Sequence, residues 1–229
     1  MAFDTSAAHC AAALLKEGRI AASRYEEMAR GQAESLFPML EELTGEAGLD
    51  WQDLHAIGVG VGPGNFTGIR IAVSAARGLA LSLGVPAIGI STLEAIFHVA
   101  GRPQGRVVVF LPAPKGSTYI QTFAGGMPQG PAFLEADGLP HGPQRGENVN
   151  AVVGPGNDDS CHRIAIGLGR AGKGPVPEVI AVDGLKEQAT AIAAIAAERF
   201  GSQNERPKPL YVRPVNAAPA HGPPPAMLP

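Results

Sequence analysis

The chain has 229 residues, 45% of them hydrophobic and 17% charged, a composition typical of a globular protein and not of a disordered one. Its net charge of −3 and its 5% aromatic content give no sign of the basic stripe of a free-standing RNA-binding protein, so we expect a partner to hold any RNA. No apolar run reaches the roughly 18 residues of a membrane span. With two isolated cysteines and no signal-peptide pattern after Met1, we expect a cytoplasmic protein without structural zinc.

The first 101 residues alternate strand and helix patterns, the order typical of an α/β protein. The predicted elements are three short strands in residues 1–27, a helix at about Gln32–Glu46, a strand at 56–61, a helix at 67–83 with Thr67 as its N-cap, a strand at 87–90 and a helix at 92–100. Because Pro38 lies inside the first helical pattern, we expect that helix either to kink at Pro38 or to begin close to it. We assign them to one N-terminal lobe.

After residue 101 the pattern restarts and predicts a second lobe over residues 102–213. Strand patterns occur at 106–111, 117–125, 150–157 and 178–183, and a helix pattern runs from about 185 to 200. Residues 214–229 are proline-rich and predict a flexible tail. The pentapeptide VGPGN follows an apolar run in both parts, at 61–65 and 153–157, which leaves open chance recurrence or a duplicated lobe.

The loop GVGPGNFTG at 60–68 resembles a phosphate-binding loop but matches neither common fingerprint. It lacks the lysine of a P-loop, and Gly68 arrives one position too late for the dinucleotide pattern. Two interpretations remain: the glycines permit a sharp turn from strand to helix, or the amides at the helix start bind an anion. Asp4, before Thr5, is equally open to a role at a bound metal or phosphate and to ordinary turn chemistry.

The helix at 67–83 is rich in small residues, which permit close approach of another helix. Gly78 in its middle costs about 1 kcal/mol relative to alanine, so it indicates a packing reason, within this chain or with a partner. Elsewhere the six histidines include no pair at helical metal-binding spacing, Ser91 lacks the nucleophile-elbow pattern, and Cys161-His162 has no further signature. No catalytic constellation is predicted.

Three stretches, FDTSAAHCAAALL, GVGPGNFTGIRIAVSAARGLALSLGVPAIGISTLEAI and PLYVRPVNAAP, resemble the TsaB (YeaZ) family of tRNA threonylcarbamoyladenosine biosynthesis proteins. The resemblance implies an α/β, two-lobed actin-like ATPase fold built on ribonuclease-H-like sheets, with a truncated second lobe. It also marks a family motif that could be a relic phosphate loop, made of Asp4, Thr5, Gly62, Gly64, Asn65, Thr67, Gly68 and Arg70. The stretch 111–121 departs from the family, because Pro112 and Pro114 stand at charged positions.

The resemblance further implies a subunit without its own metal or nucleotide. The paralogue TsaD carries two metal-binding histidines where this chain has Thr92 and Ile96 around Glu94, and a hydroxyl and an alkyl group cannot replace two imidazoles. We therefore expect no cofactor on this chain, with ATP and a divalent metal in the partner enzyme. The alternative is a small enzyme of the same fold, a glycoprotease-like peptidase or an ATP-dependent phosphotransferase.

The implied role is to bind and activate a TsaD-like enzyme that modifies adenosine 37 of tRNA. A TsaE-like ATPase and tRNA would join through the complex, a homodimer would form in isolation, and no membrane is involved. The helices at 32–46 and 67–83 would supply the contact. The candidate contact residues are Leu36, Met39, Leu40, Leu43, Ala75, Gly78 and Leu79.

Overall fold

The computed structural model describes residues 1–135, 148–156, 160–171, 175–183, 185–202 and 205–212. Within these ranges the strands are β1 Ala2–Asp4, β2 His9–Lys16, β3 Arg19–Glu27, β4 Ile57–Gly60, β5 Ala87–Ile90, β6 Arg106–Pro112, β7 Thr118–Ala124, β8 Met127–Pro128, β9 Phe133–Glu135, β10 Ala151–Pro155 and β11 Glu178–Val182. The helices are α1 Gln32–Glu46, α2 Phe66–Leu83, α3 Thr92–Val99, α4 Ser160–Ala171 and α5 Gln188–Glu198.

The strands form two sheets with the same strand order. The first runs β3-β2-β1-β4-β5, with β2 antiparallel to both neighbours and β4 and β5 parallel to β1. In the second sheet β7 lies antiparallel to β6, β10 and β11 follow in parallel on the other side of β6, and β8 and β9 pair with the outer edge of β7. The predicted two-lobed α/β fold on ribonuclease-H-like sheets is therefore confirmed.

The shared strand order also bears on the repeated pentapeptide. The first VGPGN directly follows β4, and the second begins inside β10, the strand that takes the place of β4 in the second sheet. This correspondence favours a duplicated lobe over chance. The two copies nevertheless differ in conformation, because residues 61–65 form a loop whereas 153–155 are still strand; residue 157 lies outside the described residues.

The helices are exchanged between the two halves of the chain. The helices α1 and α2 cover one face of the first sheet, and α5, which comes from the second half, covers the other face. In turn α3, from the first half, packs its apolar side against the second sheet. The sequence assigned the helix at 185–200 to the second lobe, but α5 packs on the first sheet because β1, β4 and β5 are apolar on both faces and require cover on both.

One local expectation was wrong, one of the two alternatives at Pro38 is excluded, and one helix was missed. The N-cap of α2 is Asn65, not Thr67: its Oδ1 accepts a hydrogen bond from the amide of Gly68 at 2.9 Å, and the helix begins at Phe66. The helix α1 begins at Gln32 and not near Pro38, which lies on its exposed side, where water can satisfy the carbonyl that loses its partner. The helix α4 was missed, because Gly167 and Gly169 lower the helix propensity of its sequence. The predicted tail at 214–229 lies outside the described residues.

Candidate functional site

The first part of the family motif is a buried turn after β1. The side chain of Asp4 is fully buried, and its Oδ2 accepts hydrogen bonds from the amide and hydroxyl of Ser6 at 3.0 and 2.9 Å. The same oxygen lies 2.8 Å from Nε2 of His9. The other oxygen, Oδ1, has no hydrogen-bond partner, but the backbone of Gly60 passes so close that a Cβ there would lie 1.8 Å from it. This carboxylate organises the turn, and its Oδ1 fills the space that a side chain at residue 60 would need.

The glycine loop packs directly onto this turn. A Cβ at Gly64 would lie 2.2 Å from the carbonyl oxygen of Ser6, and one at Gly68 would lie 1.8 Å from that of Thr5. The hydroxyl of Thr5 donates to the carbonyl of Gly68 at 2.6 Å, which ties the turn to the first turn of α2. The glycines are therefore required for close approach of two backbones, and the space that would cradle a phosphate holds the chain's own residues.

The remaining motif residues separate into two groups. Gly62, with φ of 90°, lies against Ile69, and its carbonyl accepts a hydrogen bond from the amide of Thr92 at 2.8 Å. Thr67 and Arg70 instead lie exposed on α2, away from the buried turn. The structure thus brings together Asp4, Thr5, Gly64, Asn65 and Gly68 but not the whole predicted motif.

A C-terminal segment, residues 205–212, runs beside the glycine loop, and we call it the strap. The amide of Leu210 donates to the carbonyl of Val61 at 2.8 Å. The hydroxyl of Tyr211 accepts a hydrogen bond from Nε of Arg70 at 2.8 Å, and its ring stacks on Phe66 with centroids 5.1 Å apart. The guanidinium of Arg70 lies 3.9 Å from the centroid of the Phe66 ring. Sequence reasoning gave the strap no role, although it placed PLYVRP among the family stretches.

The cavity left between the strap and the glycine loop is small. Its volume is ≈190 Å³, and its walls include Pro63, Phe66, Tyr211 and, from the second lobe, Tyr119. Pockets that hold small-molecule ligands usually measure about 300–1,000 Å³. The space at the family motif is therefore too small for a nucleotide in this conformation.

Thr92 and Glu94 lie in the segment that corresponds to the metal-binding histidines of TsaD, and here their side chains contact residues at the ends of α5. The carboxylate of Glu94 in α3 forms an ion pair with Arg199, just after α5, and Gln188 donates to the hydroxyl of Thr92 at 3.4 Å. Burial and the charge of Arg102 lower the pKa of the nearby His98. Throughout the described ranges, no group of three His, Cys, Asp or Glu side chains is arranged to hold a metal ion. That this chain binds no cofactor stays a prediction.

The predicted contact residues on α1 face inward. Leu36, Met39, Leu40 and Leu43 are buried in the chain's own core, so their side chains are not available to a partner. These four residues form the apolar side of α1 that packs on the first sheet. Helical spacing alone cannot distinguish a side that packs on the chain's own sheet from one that contacts a partner protein. The outward side of α1 instead presents Phe37, which is 43% exposed.

The helix α2 is only partly covered by the rest of the chain. By length and composition it could cross a membrane, but the core helices of other proteins pass the same test; only 28% of its residues are buried. Ala75 and Leu79 are half-buried, and Gly78 is exposed, with no atom within 4 Å of a Cβ built there. Within the described part of the chain, no neighbouring segment explains this glycine.

Comparisons of the sequence agree with the fold. Residues 24–126 match the family model described as TsaD, tRNA N6-adenosine threonylcarbamoyltransferase. The tRNA threonylcarbamoyladenosine biosynthesis protein TsaB of Escherichia coli is 36% identical over 157 residues, which are 68% of this chain and 62% of that protein. The TsaB protein of Buchnera aphidicola subsp. Schizaphis graminum is 34% identical over 52% of this chain and 57% of its own length. The matched region thus spans less than two thirds of either relative.

Solved structures extend the likeness over nearly the whole chain. A protein from Pseudomonas aeruginosa described as similar to peptidase YeaZ is 29% identical, with a TM-score of 0.69 over 93% of this chain and 98% of that one. The YeaZ structure from Pseudomonas aeruginosa has a TM-score of 0.64, also at 29% identity, over 87% and 92% of the two chains. Sequence, strand order and structural likeness agree: the chain belongs to the TsaB (YeaZ) family.

Proposed function

We propose that this chain is a non-catalytic subunit in tRNA threonylcarbamoyladenosine biosynthesis, which binds and activates a TsaD-like enzyme acting on adenosine 37. The roles named for its relatives support the pathway, and the match to the TsaD family supports a paralogous partner. ATP and the divalent metal belong to that partner. A TsaE-like ATPase and tRNA join through the complex, and the modification of tRNA takes place in the cytoplasm.

The observation that carries the proposal is the partly exposed apolar surface of α1 and α2, of which Ile71, Ala75 and Leu79 also contact the chain's own core. We define the docking face as Phe37 of α1 with Ile71, Ala75, Gly78 and Leu79 of α2. Each of these residues is exposed or half-buried, and all five lack polar side chains. Small residues at Ala75 and Gly78 allow a partner helix to approach closely, and Phe37 supplies an aromatic anchor of the kind that dominates interface energies.

We expect the same face to form a homodimer in the absence of the partner. A surface that is apolar and complementary to a homologous fold is also available to a second copy of this chain. Both assemblies would use the docking face, so the dimer and the complex with the TsaD-like enzyme exclude each other.

The alternative, a small peptidase or phosphotransferase, has weaker support. Such an enzyme needs a nucleophile, or a metal held by carboxylates, in a cavity that admits substrate. Asp4 is buried in a turn, Glu94 is paired with Arg199, and the cavity at the motif is only ≈190 Å³. Nothing in the described residues favours a catalytic role over docking.

Reconstitution with unmodified tRNA tests the proposal. The chain, the TsaD-like protein and the TsaE-like ATPase are mixed with ATP and threonylcarbamoyl-adenylate, and each protein is omitted in turn. We expect modification of the tRNA only when this chain and the TsaD-like enzyme are both present. Transfer or hydrolysis by this chain alone would contradict the proposal, and so would full activity when this chain is omitted.

A further inference from the structure

Four cationic side chains lie on α2 and on the neighbouring strap. Arg70 and Arg77 lie on α2, and Arg206 and Lys208 lie on the strap; all four are exposed. We call them the cationic strip. Arg70 donates to Tyr211 at one end of the strap, and Arg77 and Arg206 line one groove of ≈580 Å³ at the other end.

Two charges of the strip, those of Arg77 and Arg206, are not used to hold the fold together. Elsewhere Arg24, Arg102 and Arg199 form ion pairs with glutamates. Among the described residues, neither Arg77 nor Arg206 lies within 4 Å of a carboxylate, and the single acid in the strip, Glu205, lies 3.6 Å from Lys208. The strip therefore carries three excess positive charges, although the whole chain has a net charge of −3. Overall composition does not reveal such a local concentration of charge.

Two aromatic rings lie at one end of the strip. Phe66 is 50% exposed and Tyr211 is 38% exposed, and they stack on each other beside the guanidinium of Arg70. Exposed rings next to an arginine suit a polymer that carries both phosphates and flat bases. An acidic protein segment would satisfy the cations but would make no use of the exposed parts of the two rings.

We propose that the cationic strip binds the phosphodiester backbone of RNA and that the Phe66–Tyr211 pair stacks against one of its bases. This rests on the proposed function, in which the complex acts on tRNA, and it goes further by giving this chain a direct contact with the substrate. It also revises the expectation, drawn from composition, that a partner alone holds the RNA.

The strip and the docking face lie on different sides of α2 over most of their length, and they meet at Gly78, which lines the same groove as Arg77 and Arg206. Arg77 follows Ala75 by two residues, which places it about 200° further around the helix. An RNA strand along the strip therefore leaves Ala75 and Leu79 free for the partner enzyme. The docked enzyme and the bound RNA would then be neighbours that approach each other at Gly78.

The test is the binding of fluorescently labelled, unmodified tRNA to the full chain, without partner proteins, over a series of salt concentrations. The double variant Arg77→Gln/Arg206→Gln should bind about tenfold more weakly at low salt, with a log–log salt slope shallower by roughly 1.5 to 2. The control is Arg19→Gln/Arg30→Gln, which removes the same charge from exposed arginines outside the strip. It should change the affinity less than twofold.

A second pair of variants tests the stacking contact. Tyr211→Ala should weaken tRNA binding several-fold without changing the salt slope, while Tyr211→Phe, which keeps the ring, should bind almost as the unmodified chain does. No tRNA binding at low salt, or equal losses in strip and control variants, would overturn the proposal. Tighter binding of poly-glutamate than of tRNA would identify an acidic protein as the occupant instead. Because no TsaD-like enzyme is present, failure here leaves the docking proposal standing.

Discussion

Two glycines in α2 have opposite surroundings, and substituting each by alanine tests the packing of the family motif. At Gly78 a Cβ meets no atom within 4 Å, so Gly78→Ala should only remove the conformational penalty of glycine, a gain of about 0.5–1 kcal/mol. At Gly68 a Cβ would lie 1.8 Å from the carbonyl oxygen of Thr5, which belongs to the backbone and cannot rotate away.

The expected loss for Gly68→Ala follows from this geometry. Overpacking costs about 1–3 kcal/mol, and the buried hydrogen bond from Thr5 to the carbonyl of Gly68 contributes about 1 kcal/mol more. Subtracting the helix propensity gained by alanine leaves a net loss of about 1–3 kcal/mol.

Urea unfolding followed by circular dichroism measures both changes. With an m-value of about 2 kcal/mol/M, the midpoint should fall by roughly 1 M for Gly68→Ala and rise by roughly 0.4 M for Gly78→Ala, with m unchanged. A Gly68→Ala protein as stable as the unmodified chain would refute the inference that the glycine loop is packed against the turn after β1.

Three further changes test other parts of the structure. Asp4→Ala leaves the polar groups of Ser6 and His9 without their buried acceptor, and should lower the free energy of unfolding by about 3 kcal/mol in thermal or urea unfolding. A double-mutant cycle with Glu94→Gln and Arg199→Gln should give a coupling energy of about 1 kcal/mol between α3 and α5; a value of zero would remove this pair as a link between the lobes. Burial and the nearby carboxylates raise the pKa of the Cys10 thiol to about 12, so its stabilising contribution is present below pH 9 and declines as pH rises toward 12. Stability at pH 8 and pH 10, compared with that of Cys10→Ala, checks this, and equal pH dependence in the two proteins would contradict it.

The sequence predicted the elements of the first lobe well, because their signals are local. The glycine after α2, the apolar runs of β4 and β5 and the helical spacing in α1 each depend on residues within one element. The exchange of α3 and α5 between the sheets was not predictable in this way, since the apolar side of α5 does not specify which sheet it will cover. The helix α4 was missed because its glycines weakened the helical pattern.

At the candidate site, too, the sequence predicted the features with local signals but not those that depend on tertiary packing. Sequence reasoning identified the glycine loop and left open whether its glycines serve a turn or an anion; the answer required the distances to Thr5 and Ser6, which are 60 residues away in the chain. The inward leucines of α1 were taken for a partner surface because an amphipathic pattern is the same for both roles. The strap could not be foreseen, since its contacts with Arg70 and Val61 come from chain folding alone.

The most direct test of the central claim is the affinity of this chain for a TsaD-like protein from the same source, measured by calorimetry. Gly78→Leu adds a bulky side chain to the docking face, and Ala21→Leu adds the same side chain to the exposed strand β3 as a control. Both variants should remain as stable as the unmodified chain. We predict at least tenfold weaker binding for Gly78→Leu and unchanged binding for Ala21→Leu. Unchanged affinity of a folded Gly78→Leu protein would contradict the docking role assigned to α2.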